Sequence, residues 1–179
     1  MRAFSIGHST HPLVELVALL ARHRVERVVD VRRTPRSGRH PQFNFDSLTR
    51  ELPRRGVDYR HLAALGGRRR PRPDSPNGAW EHDAFRGYAD YALTGEFAAA
   101  LAQLCALARE RPTAVMCAEA LWWRCHRRLI ADRLTATGWS VCHIAADGSL
   151  AEHALPAFAV VEADERVRYP PAQAALPGL

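Results

Sequence analysis

The sequence has 179 residues, 47% hydrophobic and 25% charged, with a formal net charge of +6. That balance suits a single domain with its own core and excludes both a disordered chain and a mini-fold that needs disulfide or metal staples. No apolar run reaches the roughly 20 residues of a membrane span, and Met1-Arg2-Ala3-Phe4-Ser5-Ile6 lacks a secretion-signal pattern, so a cytoplasmic protein with no membrane partner is expected.

In chain order, residues 2–6 form a short strand stopped by Gly7. Pro12 suits the first position of a helix capped by Ser9, Thr10 or His11, and Leu13, Leu16, Val17 and Leu20 give it a buried stripe to about residue 23. Residues 25–31 are β-branched and apolar, a second strand containing Asp30 near its end. A Pro- and Gly-rich loop follows over 32–41, then a helix over 46–55 and a third strand over 57–61. A second irregular stretch, 63–82, precedes helices at 83–93 and 95–110. A strand over 113–117, a helix over 124–137 and a strand over 139–144 complete the pattern.

Strands alternating with helices predict an α/β, three-layer fold: a mainly parallel sheet of about five strands with helices on both faces. Residues 1–155 form its single domain, and 156–179 is a Pro- and Ala-rich tail expected to carry little function. In such sheets the ligand crevice lies beyond the carboxyl ends of the strands. His8, Ser9 and Thr10 follow the first strand, and Asp30, Arg32, Arg33 and Arg36 mark the second. His61, Gly66 and Gly67 follow the third; Cys117, Glu119, Arg124, Cys125, His126 and Arg127 follow the fourth. Separate stretches of sequence thus converge on one sheet edge.

The chemistry of these groups points to an anion. All 25 basic residues are arginine, and residues 1–72 hold 16 of them against six acids. A one-sided basic surplus suits phosphate-bearing partners, a small molecule or a nucleic acid, although a solvated surface gives the same count. Arg32, Arg33 and Arg36 offer planar forks for phosphate or carboxylate, and Asp30 is placed to orient one of them. Glu119 and His126 are candidates for proton transfer, and Cys125 or Cys117 for a nucleophile or redox thiol near a helix start. Cys105 and Cys142 lie in apolar segments and suit the core. Trp122 and Trp123 suit core packing more than ligand stacking.

Two other chemistries fit less well. Cys117 and Arg124 have a tyrosine-phosphatase or rhodanese order, but the loop between them has no glycine and carries Leu121, Trp122 and Trp123. A metal site from Cys117, Cys125, His126 and His8 or His61 lacks paired C-x-x-C spacing, and adjacent helical residues diverge. No metal ligand and no cofactor is therefore assigned. An enzyme acting on a phosphorylated substrate leads; a nucleic-acid or nucleotide binding module and a thiol-based metal or redox sensor are the alternatives.

Gly7-His8-Ser9-Thr10, Asp30-Val31-Arg32, Pro41-Gln42-Phe43-Asn44, Leu65-Gly66-Gly67, Phe85-Arg86-Gly87-Tyr88-Ala89-Asp90-Tyr91, Met116-Cys117-Ala118-Glu119 and Cys125-His126-Arg127 occur in that order. As a set they resemble the domain of unknown function 488 family over about residues 4–145. The resemblance implies an α/β fold and an intracellular, bacterial-type protein, and it adds Arg86 and Tyr88 to the candidate ligand-binding residues. It implies no particular reaction. From spacing alone, Arg86 and Asp90 suit an ion pair on one helical face, or Arg86 leans into the pocket beneath a lid formed by 63–82.

Overall fold

Alternation along the strands decides which side chain goes to which face of the sheet. In β1 (Arg2–Gly7) the buried residues Phe4 and Ile6 face one side while Ala3 and Ser5 face the other. The computed structural model describes residues 1–172 and extends this pattern through a six-stranded sheet. Its strands are β1, β2 (Arg27–Asp30), β3 (Asp58–His61), β4 (Thr113–Cys117), β5 (Ser140–Ile144) and β6 (Leu150–Glu152), in the spatial order β3-β2-β4-β1-β5-β6. The first five run parallel; β6 pairs antiparallel to β5 with Cys142 opposite Glu152. This sixth strand is fully exposed and three residues long, so no apolar pattern announces it.

Each face is covered. Phe4, Ile6, Val28, Ala114, Met116 and Ile144 share a core with Leu16 and Leu20 of α1 (Leu13–Arg22) and Leu48 of α2 (Phe45–Glu51). Ala3, Val29, Val115 and Val141 pack on the opposite side. They meet Tyr88 of α3 (Asp83–Ala92), Phe97, Leu101 and Leu104 of α4 (Gly95–Glu110), and Leu129 and Ile130 of α5 (Arg127–Ala136). The three-layer α/β fold holds, with the helices divided between the two faces. Among the described residues no single helix is long and apolar enough to cross a membrane.

Chain order places the crevice. From β1 the chain passes through α1 to β2 and through α2 to β3, then returns through α3 and α4 on the other face to set β4 between β2 and β1. β1 is followed by a helix on one face and its neighbour β4 by α5 on the other. Connections that leave adjacent strands in opposite directions open a crevice at their carboxyl ends.

The segment after residue 156 differs from the expected tail. It forms a small antiparallel hairpin, β7 (Val160–Val161) and β8 (Val167–Arg168), that delivers Tyr169 into the core. The Tyr169 hydroxyl donates to Asp132 (2.6 Å) and its backbone N–H to Asn77 Oδ1 (3.0 Å), so two otherwise buried polar groups depend on this segment. The final stretch of the expected tail, 173–179, lies outside the described residues.

Candidate functional site

The loop after β4 crosses directly over the end of β1. A Cβ at Gly7 would sit 2.0 Å from the Glu119 carbonyl oxygen and 2.8 Å from the Ala120 Cα, so only glycine fits beneath it. His8 and Ser9 then continue the pairing, donating to the carbonyls of Cys117 (2.9 Å) and Ala118 (3.0 Å). A cleft of about 690 Å³ opens beside this crossing, lined by His8, Ser9, Thr10, Arg32, Arg33, Arg36, Ser37, His40, Gly67, Arg68, Cys117, Glu119 and His126 among others. Ser9 and Thr10 do not cap α1; Pro12 takes that position without a side-chain cap.

One wall is a buried polar network. Arg32 meets Asp30 through Nε (2.9 Å) and Nη2 (2.5 Å), and Nη2 also donates to the Phe43 carbonyl (2.8 Å). Tyr59 donates to the same carboxylate (2.9 Å). Asp30 therefore does orient an arginine, and the Arg32 fork is spent on it. The remaining Arg32 nitrogen, Nη1, lies 3.0 Å from His8 Nε2, while His8 Nδ1 lies 2.9 Å from the Ser9 carbonyl. Guanidinium only donates and a carbonyl only accepts, which fixes His8 as the neutral Nδ1–H tautomer. Burial, followed by the neighbouring Arg32 charge, pushes its pKa down to about 4, and the ring stacks on Phe43 at 4.1 Å.

The floor is a thiol and imidazole cluster. The chain after β4 makes a short 3-10 turn over Trp122–Arg124, Cys125 is extended, and α5 starts only at Arg127. The helix expected from 124 thus begins later, which changes the geometry of the pair before it. An extended Cys125 turns its Sγ back to within 3.6 Å of His126 Nδ1, and Cys117 Sγ completes a triangle whose three ligand atoms lie within 4.8 Å of one another. The expected divergence of Cys125 and His126 does not occur, because the two are not on successive positions of a helix. His126 Nε2 faces the Val31 carbonyl (3.3 Å), and its ring rests against Tyr88. A Cβ at Gly67 would meet His126 Nδ1 at 2.9 Å, so this glycine admits the ring.

Arg127 lies behind the cluster, 1% exposed. It donates to Cys125 Sγ (3.5 Å), to Ser5 Oγ (3.0 Å) and to the Glu119 and Ala120 carbonyls. Among the described residues no carboxylate pairs with it. The neighbouring Cys125 raises the Cys117 thiol, with burial acting in the same direction. The Cys117 thiol, followed by His126 and Arg127, holds Cys125 well below the ordinary thiol range despite its burial.

Of the sequence candidates, His8, Ser9, Thr10, Arg32, Arg36, Gly67, Cys117, Glu119 and His126 border the cleft. Cys125, Arg127 and Tyr88 stand behind it, Tyr88 donating to the Leu65 carbonyl (2.6 Å). His61 turns away to the Arg32 carbonyl (2.7 Å), and Gly66 packs on Arg33. Arg86 pairs with Asp83 instead of Asp90 and does not reach the cleft. Asp90 is buried and accepts from Arg72 N–H (2.8 Å), Ser75 Oγ (2.6 Å) and Asn77 Nδ2 (2.8 Å). Those bonds fasten 72–77 to α3, so the second irregular stretch is a pinned strap and not a free lid; only Gly67 and Arg68 of it border the cleft. Trp122 stacks on His143 at 4.1 Å and Trp123 is exposed. Arg68, Ser37 and His40 line the cleft as well; for Arg68 the signal in the sequence is its place directly after the Gly66-Gly67 turn.

The family model described as "Domain of unknown function DUF488" matches residues 12–134. The chain belongs to this family. No curated protein and no solved structure matches it. The span shared with the DUF488 family includes Asp30, Arg32, Gly66, Gly67 and the whole Cys117–Arg127 segment, whereas the Gly7–Thr10 turn lies before it and β5 beyond it.

Proposed function

We propose that this DUF488 protein is an enzyme that binds a phosphorylated small molecule, nucleotide-sized, in the strand-end cleft and acts on it at the Cys117, Cys125 and His126 cluster. The observation that carries this reading is the composition of one concave surface: three exposed arginines, Arg33, Arg36 and Arg68, face the same cleft as Cys117 and His126. Arg32 has its fork committed to Asp30, so anion capture falls to the other three, helped by the Ser9 and Thr10 hydroxyls. Glu119 supplies a carboxylate at the rim for proton transfer. A volume of about 690 Å³ suits a small ligand better than a polymer. A reducing, cytoplasmic setting is part of the reading, since it keeps the thiols free.

Calorimetry with inorganic phosphate and nucleoside monophosphates tests the binding step. Arg36→Ala and Arg68→Ala should each weaken affinity by about tenfold, the value of one charge-assisted hydrogen bond, with unchanged melting temperature. Wild-type protein that binds none of these anions at low salt would remove the proposal. A second reading draws on Arg68, Arg70 and Arg72, all exposed on the strap beside the cleft. It makes this face a nucleic-acid surface, for which affinity for a single strand must fall steeply with salt.

A further inference from the structure

We infer that Cys117, Cys125 and His126 form a mononuclear zinc-class metal centre with one coordination position open to the cleft. The inference deepens the active-site reading and rests on it only for the role of that open position.

The geometry is the first support. Tetrahedral zinc with bonds of roughly 2.3 Å to sulfur and 2.0–2.1 Å to nitrogen sets its sulfur and nitrogen ligands about 3.6 Å apart. Cys125 Sγ and His126 Nδ1 are 3.6 Å apart, and all three ligand atoms lie within 4.8 Å of one another. Two sulfurs and an imidazole nitrogen select a borderline-soft cation over magnesium or calcium.

The surroundings of His126 are the second. Its Nε2 faces the Val31 carbonyl, which requires a hydrogen there and leaves the Nδ1 lone pair directed at the sulfurs. A ligand histidine ordinarily donates its second ring N–H to such an acceptor, which fixes its tautomer and orientation. Tyr88 and Gly67 both lie against the ring.

Charge is the third. Arg127 is a buried cation whose partners are Cys125 Sγ, one hydroxyl and two carbonyls. A buried charge without a counter-charge is costly. Two coordinating thiolates cancel a divalent ion, and Arg127 then balances an anion in the fourth position. That position has room, because Cys117 and His126 both border the cleft while Cys125 stands behind them. Three protein ligands and an open fourth site are the arrangement of a catalytic metal, where a bound water or substrate anion completes the tetrahedron.

The test uses the full chain, reduced and purified without chelator. Elemental analysis should find zinc in stoichiometric amount. After stripping, titration with Co(II) should give a thiolate-to-cobalt charge-transfer band in the near ultraviolet and the visible absorption of a tetrahedral site, saturating at one equivalent. Cys125→Ser and His126→Gln should lose stoichiometric binding, whereas Cys142→Ser, a buried cysteine on the other face, should keep it. Should a ligand variant fail to fold, the cobalt spectrum of wild type decides alone. Wild-type protein that takes up no Co(II), or takes it up without the charge-transfer band, overturns the centre. Phosphate binding measured on stripped and loaded protein separates the two proposals. Phosphate binding with no metal uptake leaves the cleft standing and removes the metal, and the opposite result does the reverse.

Discussion

Acidification should destabilise this protein through His143, and the size of the effect follows from its burial. His143 is 2% exposed and lies flat on Trp122. Its Nε2 faces His153 Nδ1 (3.0 Å), and His153 Nε2 faces Asp132 (2.7 Å), so each ring passes one N–H towards the carboxylate. His143 Nδ1 is left without a partner among the described residues, and a proton placed there would meet no acceptor. Burial, followed by His153 and Arg127, pushes the His143 pKa down to about 3 from the ordinary 6.5. The unfolded chain therefore takes up this proton first as the pH falls. The stabilising contribution is complete above about pH 6.5 and is lost progressively towards pH 3. The slope is about half of 1.4 kcal/mol per pH unit at pH 6.5, where the unfolded group is half protonated, and reaches that value below it. The change from pH 6.5 to 4.5 therefore removes about 2 kcal/mol. His143→Phe keeps the ring against Trp122 and deletes the titrating group. Urea unfolding of chelator-treated wild type and His143→Phe across that range should show the wild type losing about 2 kcal/mol more. Parallel pH curves for the two proteins would refute the argument.

Two further outcomes concern the frame of the site. Gly7→Ala forces a methyl group into the Glu119 carbonyl, so the loop carrying Glu119 must move; stability should fall by about 3 kcal/mol and phosphate affinity with it, read by thermal melting and calorimetry. Tyr169→Phe strands one Asp132 oxygen and should cost about 1–3 kcal/mol in urea unfolding, and ending the chain at residue 155 should cost more by also uncovering Trp80.

Much of the fold was legible from the residues because local rules decide it. Period-two and period-3.6 hydrophobic patterns located five strands and the main helices, and the alternation of strand and helix gave the layers. The convergence of His8, Arg32, Cys117 and His126 was legible as well, since a parallel sheet brings every strand's carboxyl end to one edge. The short strand β6 and the hairpin β7–β8 escaped because their residues are few and mostly exposed, with no periodicity to read.

What the sequence by itself determined was the inventory of the site and the edge where it gathers. Only the tertiary structure decided which groups face the ligand space and which are consumed by one another. Arg32 looked free until Asp30 took its fork, Arg86 turned to Asp83, and Asp90 fastened the strap instead of pairing along its helix. Cys125 and His126 looked divergent until the chain proved extended at Cys125, two residues before the helix begins. The reason is physical: side-chain direction depends on backbone angles at single residues and on competition among partners brought from far along the chain. Neither is encoded in spacing alone.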